Sequence, residues 1–174
     1  EILLPLIGSH KECVYLDLPF HTNLGDLLIW QGVRDFLKTH HIKCTYCNSI
    51  YTNHKLRIKK DQLILMHGGG NFGDVWRTHQ MYRREIITKY KEHRIIILPQ
   101  SVQYLDKEIM KEDREVFAQH LDLHIVARDS WSYEYLTEHF RNNSYLAPDM
   151  AFYINLDTYR YDVKKMSTPT PNTL

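Results

Sequence analysis

Leu63-Ile64-Leu65-Met66-His67-Gly68-Gly69-Gly70-Asn71-Phe72-Gly73-Asp74 is the stretch on which the fold turns: an apolar run that stops in a triple glycine and then becomes polar. Apolar residues without alternation suit a strand covered on both faces, as in a parallel sheet. Glycine has no Cβ, so the backbone can take positive φ there and a ligand can approach the main chain closely. Asn71 and Asp74 put polar groups at the strand's carboxyl end, where open α/β sheets place their ligands. Taken alone, Gly68-Gly69-Gly70 reads equally well as a tight turn.

Similar polar stops recur on either side of this stretch. Upstream, Val14-Tyr15-Leu16-Asp17-Leu18 reads as a strand ended by Pro19, running into Phe20-His21-Thr22-Asn23-Leu24-Gly25-Asp26. Near-helical spacing of Leu27, Leu28, Val33, Phe36 and Leu37 then predicts a helix to about Lys38, with Asn23 or Asp26 able to cap it. Residues 1–11 suggest a short helix or an arm, and residues 48–60 a loop. Downstream, residues 79–91 read as a helix on which Arg83 and Arg84 form a solvated face. Residues 94–98 form a buried strand that stops at Pro99-Gln100-Ser101. A charged helix over 106–120 turns Ile109, Val116, Phe117 and Leu121 inward, and a strand over 123–127 stops at Arg128-Asp129-Ser130. Ser130 or Asp129 caps a helix over 131–140. A short strand over 144–147 ends at Pro148-Asp149.

Strands alternating with helices predict an α/β fold, a doubly wound, mostly parallel Rossmann-like sheet with right-handed crossovers. The expected organisation is one domain over residues 1–156 and a linker-like tail over 157–174, where Thr168-Pro169-Thr170-Pro171 cannot continue a helix or central strand. At 174 residues and 43% hydrophobic content the chain suffices for one sizeable core. A net charge of +1 gives no nucleic-acid footprint, and no run of residues is long and apolar enough to cross a bilayer. Cys13, Cys44 and Cys47 make an odd count that does not suggest a disulfide framework and fits a reducing cytosol. Cys44-x-x-Cys47 has zinc or redox spacing, but no second pair follows at finger-like distance. The stretch 42–47 reads better as a strand with Cys44 and Tyr46 facing one way, so no metal is expected.

In a parallel sheet the five polar stops lie on one edge and line one crevice. Each has a plainer role: Asp26 as a cap, Gln100 and Ser101 as turn formers, Arg128 and Asp129 as an ion pair, Asp149 as a turn residue. Their concurrence is what points to a site. The glycine stretch lacks the Lys-Ser/Thr of a Walker loop, does not follow the first strand as a dinucleotide fingerprint does, and no Gly-x-Ser-x-Gly elbow occurs. Trp76, Tyr82 and Trp131 fit core positions better than sugar stacking.

Asn23-x-Gly25-Asp26, 66–76 through the triple glycine, Leu98-Pro99-Gln100-Ser101, Ala127-Arg128-Asp129-x-x-Ser132 and Ala147-Pro148-Asp149-Met150-Ala151-Phe152 together resemble the polysaccharide pyruvyl transferase family, bacterial exopolysaccharide type, in order and spacing over about residues 16–152. The resemblance implies transfer of a pyruvyl group from phosphoenolpyruvate to two hydroxyls of a sugar, giving a cyclic ketal, with no cofactor beyond that co-substrate. It implies one half of a GT-B-like two-domain fold, the second domain being absent from this chain. It further implies a glycan or lipid-linked sugar acceptor and a cytoplasmic enzyme at the inner face of the membrane, peripherally associated.

The residues expected to carry that chemistry follow from the charges involved. A donor bearing phosphate and carboxylate calls for an arginine fork and backbone N–H groups: Arg128 first, then Gly68, Gly69 and Gly70. Ketal formation needs an acid and a base, assigned to Asp26 with His21 and His67 as weaker candidates. Asn23, Gly25, Asn71, Asp74, Gln100, Ser101 and Asp149 complete the expected binding set. The alternatives are a GT-B-type glycosyltransferase using a sugar nucleotide, and a non-catalytic carbohydrate-binding domain.

Overall fold

The structure is a computed structural model and describes residues 2–52 and 56–158. Residues 159–174, on which most of the tail reading falls, lie outside the described residues. The elements run α1 (Leu3–Ile7), β1 (Glu12–Leu16), α2 (Leu24–Thr39), β2 (Lys43–Asn48), β3 (Leu63–Met66), β4 (Gly69–Gly73), α3 (Arg77–Lys89), β5 (Ile95–Gln103), α4 (Lys107–Phe117), β6 (Leu123–Ala127), α5 (Ser130–His139), β7 (Asn143–Leu146) and a 3-10 turn, Met150–Tyr153.

The strands form one sheet in the order β2-β1-β3-β5-β6-β7, with β4 also on β5, and every pairing is parallel. Side chains alternate between its two faces. Val14, Leu16, Ile64, Met66, Ile95 and Ile97 pack with α3, α4 and α5. Cys13, Tyr15, Leu63, Leu65, Ile96 and Leu98 pack with α1, α2 and the 3-10 turn. Both faces are therefore dry, which is why the strands read as unbroken apolar runs. On the second face α2 sits so close to the 3-10 turn that a Cβ on Gly32 would lie 1.8 Å from the Met150 carbonyl oxygen.

The glycine stretch is neither a turn nor a plain stop. After a break at His67-Gly68 the chain resumes beside β5 as β4, so β3 and β4 act as one interrupted strand. Its partner β5 likewise runs on through the expected stop at Pro99. Proline has no N–H to give a ladder, and it is tolerated because β5 slips register against β6 between Ile97 and Gln100. The interruption in β3-β4 faces the same point, where a Cβ on Gly68 would meet the Pro99 carbonyl oxygen at 2.7 Å.

Three further expectations are corrected. Arg83 is wholly buried rather than solvated, because β4 offers it carbonyl and amide acceptors beneath α3; Arg84 is drawn to the buried Asp113 at 3.1 Å. Leu121 is 94% exposed, since α4 ends at Phe117 and the chain turns out before β6. Cys44 does not share a face with Tyr46: the pairing of β1 with β2 slips between Cys13 and Val14, so Cys44 and Cys47 fall on one face and Tyr46 on the other.

Under the amino edge of β6, His120 carries a pH dependence. Its Nδ1 accepts from the Asp122 backbone N–H at 3.2 Å, which leaves Nε2 to donate to the Tyr90 carbonyl at 3.1 Å. The geometry holds the neutral imidazole, and burial lowers its pKa. A lowered folded pKa contributes stability that is present above the unfolded value of 6.5 and lost as pH falls through the folded one. Unfolding midpoints measured from pH 7.5 down to 5 should therefore fall more for the native chain than for His120→Gln, by at most about 1.4 kcal/mol per pH unit.

Candidate active site

The order β2-β1-β3 fixes where a ligand belongs. From β1 the chain crosses through α2 to one side, whereas β3 lies on the other side of β1 and leads to α3 on the opposite face. A crevice opens at such a switch point, beyond the carboxyl ends of the strands. The residues just past those two ends are Asp17 and His67.

Asp17 turns the chain out of β1 at φ 63°, a conformation that aspartate tolerates better than most residues. Its carboxylate is buried, and its Oδ1 lies 2.8 Å from His79 Nδ1 on α3. On Oδ2 it accepts from the Asn71 amide at 3.3 Å and stands 3.7 Å from Arg83 Nη2. Arg83 in turn donates to Asn71 Oδ1 at 2.8 Å and to the Asn71 carbonyl at 3.4 Å, while its guanidinium lies 5.2 Å from the Phe72 ring centre. Burial lowers the pKa of Arg83, and Asp17 opposes that by favouring its charged form. One buried ion pair thus locks Asn71 at the lip of the crevice.

The second cluster is built on His67, 2% exposed. The Tyr15 hydroxyl meets its Nδ1. Burial raises the pKa of that phenol, so it keeps its proton and donates, and the imidazole hydrogen then belongs on Nε2. Nε2 has no hydrogen-bond partner and lies 3.6 Å from Asp26 Oδ1. On its other oxygen, Asp26 stands 3.4 Å from His21 Nε2. Asp26 occupies the first turn of α2, where the helix dipole favours a negative charge, and Asn23 supplies the cap by accepting from Gly25 N–H at 2.9 Å. With His67 beside it, the Asp26 carboxyl has a lowered pKa despite partial burial. Gly69, at φ +109°, lets β4 pass, since a Cβ there would stand 3.1 Å from Asp26 Oδ1.

Both clusters border a cavity of about 570 Å³ lined by His21, Asn23, Asp26, Gly70, Asn71 and His79, with Tyr51, Trp76 and Arg77 at its edge. Sequence reasoning did not find Asp17, Tyr15, His79 or Arg83. The signal for Asp17 was present, a charge closing an otherwise apolar strand; nothing marked a histidine and an arginine on α3 as facing the crevice.

The remaining expected residues separate. Arg128 does not pair with Asp129: it donates from Nη1 to Asp149 at 2.8 Å and from Nε to Ser101 at 2.8 Å, because Asp129 is drawn into capping α5. Its Nη2 comes within 3.5 Å of where a Gly70 Cβ would stand, so this group abuts the cavity wall. Asp149 also caps the 3-10 turn through Ala151 N–H. Gln100, wholly buried, donates to the His67 carbonyl and seals the break between β3 and β4. Asp74 accepts from Leu105 and Asp106 N–H groups and ties β4 to the start of α4. Gly68 lies against β5 rather than the cavity. Among the described residues no group of His, Cys, Asp and Glu could hold a metal ion, and no helix is long and apolar enough to cross a membrane.

Fold and site define a doubly wound α/β protein with an acid–base cluster at the switch point of a parallel sheet. The sequence pattern described as polysaccharide pyruvyl transferase matches residues 23–172, and the chain belongs to that family. It is 36% identical over 151 residues to EpsO of Bacillus subtilis, provisionally named a pyruvyl transferase, covering 86% of this chain and 47% of EpsO. It is 28% identical over 155 residues to pyruvyl transferase 1 of Schizosaccharomyces pombe, covering 83% of this chain and 39% of that protein. The chain thus spans half or less of the length of these curated relatives. A crystal structure of a functionally uncharacterised Klebsiella pneumoniae protein shares the fold, with a TM-score of 0.60 at 20% identity over 87% of this chain and 54% of that one.

Proposed function

We propose that this chain forms the acceptor side of a cleft in which a pyruvyl group passes from phosphoenolpyruvate to two hydroxyls of a surface-glycan sugar, giving a cyclic ketal and inorganic phosphate. The observation that carries the reading is Asp26, with its lowered pKa, set between His21 and His67 at the wall of the cavity. A carboxylate kept ionised is suited to accepting the proton of an attacking hydroxyl, and not to donating one. Asp26 is therefore the base, and His21, paired with it and open to the cavity, protonates the enol methylene. The hydroxyl adds to the adjacent carbon as positive charge develops there, giving its proton to Asp26; phosphate leaves with that proton, and the second hydroxyl closes the ketal, its proton returning to the now neutral His21. His67, held by Tyr15 with its Nε2 hydrogen toward Asp26, positions the carboxylate.

Asn71, fixed by Arg83, and Asn23 offer amide groups of the kind that bind sugar hydroxyls. Arg128 Nη2 is placed to meet a donor carboxylate at the edge formed by Gly70. In this reading the chain is one half of a two-domain GT-B-like enzyme, the rest of the donor site lies on the other half, and the enzyme works in the cytoplasm at the inner membrane face on a lipid-linked glycan. Calorimetric titration of phosphoenolpyruvate into the protein carrying this sequence tests it. Binding is expected, weakened about 10-fold or more by Arg128→Ala, as befits loss of a charge-assisted hydrogen bond. Binding of a sugar nucleotide, with no response to phosphoenolpyruvate, would replace this reading by a glycosyltransferase.

A further inference from the structure

The site leaves all three cysteines of the chain unused, yet the fold gathers them at one place. In a regular strand, residues three apart point to opposite faces, so Cys44 and Cys47 would be kept apart. The slip between β1 and β2 cancels that: Thr45 becomes the extra residue, and its hydroxyl is anchored between the Cys13 carbonyl at 3.1 Å and the Gln62 amide at 2.9 Å. Cys44 and Cys47 consequently stand with their sulfurs 3.4 Å apart. Both border a cavity of about 460 Å³ between α2 and β2, together with Trp30, Arg34 and Lys38. Cys13, opposite Cys44 on β1, is wholly buried.

We propose that Cys44 and Cys47 are a reversible dithiol–disulfide couple, opened and closed by exchange with a small disulfide such as glutathione disulfide. Cys44 is the attacking sulfur: it stands between the other two, opposite Cys13 across the pairing of β1 with β2 and 3.4 Å from Cys47, and these neighbours lower its pKa while theirs are raised. Its thiolate attacks one sulfur of glutathione disulfide, forming a mixed disulfide and expelling glutathione thiolate. Cys47 then loses its proton and attacks Cys44, releasing the second glutathione. The protein is oxidised by two electrons and glutathione disulfide is reduced to two glutathiones. Arg34 and Lys38, set against the Asp35 carboxylate, leave the cavity lining with a net positive charge for an anionic thiol reagent.

The folded chain is equilibrated with excess glutathione disulfide, quenched with acid, alkylated in denaturant so that the buried Cys13 is reached, and mapped by peptide mass spectrometry, with circular dichroism recorded before and after equilibration. The native chain is expected to lose two thiols and show a Cys44–Cys47 link, with Cys13 alkylated. Cys47→Ser should accumulate a stable glutathione adduct on Cys44, Cys44→Ser should react at least 10-fold more slowly, and Cys13→Ser should still close the link. Three thiols remaining in the folded native chain overturn the proposal. So does a lasting mixed disulfide in the native chain, or a link to Cys13.

Discussion

In the pyruvyl transfer proposed above, replacing Asp26 by Asn is expected to lower turnover by about 10²- to 10⁴-fold, the range that a positioned general base contributes. The change keeps the size of the side chain and an oxygen facing His67 Nε2 at 3.6 Å, so the cluster survives while the proton acceptor is lost. The Michaelis constant for phosphoenolpyruvate should move little, because the Arg128 and Gly70 edge is untouched. Phosphate release measured with a sugar acceptor reads both quantities. Full turnover by Asp26→Asn would remove Asp26 from the chemistry. The pH dependence follows from its lowered pKa: the carboxyl stays ionised from neutrality down to below its unfolded value of 3.8, so Asp26 itself does not limit the rate near neutral pH.

Arg83→Met should be the most destabilising of the changes considered, by about 3–5 kcal/mol, since removing one partner strands the other charge in the interior. Asp17 is the group left short of charge: its buried carboxylate keeps His79 at 2.8 Å and the Asn71 amide but loses the wholly buried guanidinium. The polar atoms of Asn71 that Arg83 satisfies would also be orphaned. For a domain of this size the midpoint of thermal unfolding should fall by about 6–20 °C. The double change Asp17→Asn with Arg83→Met should cost less than Arg83→Met alone, because no buried carboxylate is then left with its guanidinium removed. A double variant as unstable as the sum of the singles would show the pair to be uncoupled.

These two residues also mark what was legible beforehand. Asp26 could be singled out because it closes a polar run before an amphipathic helix, and helix caps and first turns have local signatures. Arg83 carried the opposite signal: two adjacent arginines on a charged helix look solvated, and only the acceptors of β4 beneath α3 make burial favourable. The plainer alternative, an ion pair of Arg128 with Asp129, is not formed for a related reason. Neighbours in sequence lost to Asp149, which the end of β7 brings within 2.8 Å. Pro99 misled as a stop because a proline ends most central strands, whereas a register slip elsewhere in the sheet accommodates it.

Local sequence signals specified the alternation of strand and helix, the parallel sheet buried on both faces, and the polar strand ends that share one edge. Those are consequences of local periodicity and of residues whose backbone preferences do not depend on distant partners. Which polar ends meet depends instead on strand order and packing, which bring together residues far apart in the chain. Strand order puts Asp17 and His67 at the switch point, brings His79 and Arg83 to them from α3, and leaves Gln100 and Asp74 holding the frame. The slip that turns Cys44 and Cys47 to one face is of the same kind, because register is set by the neighbouring strand and a single extra residue reverses the side to which a side chain points.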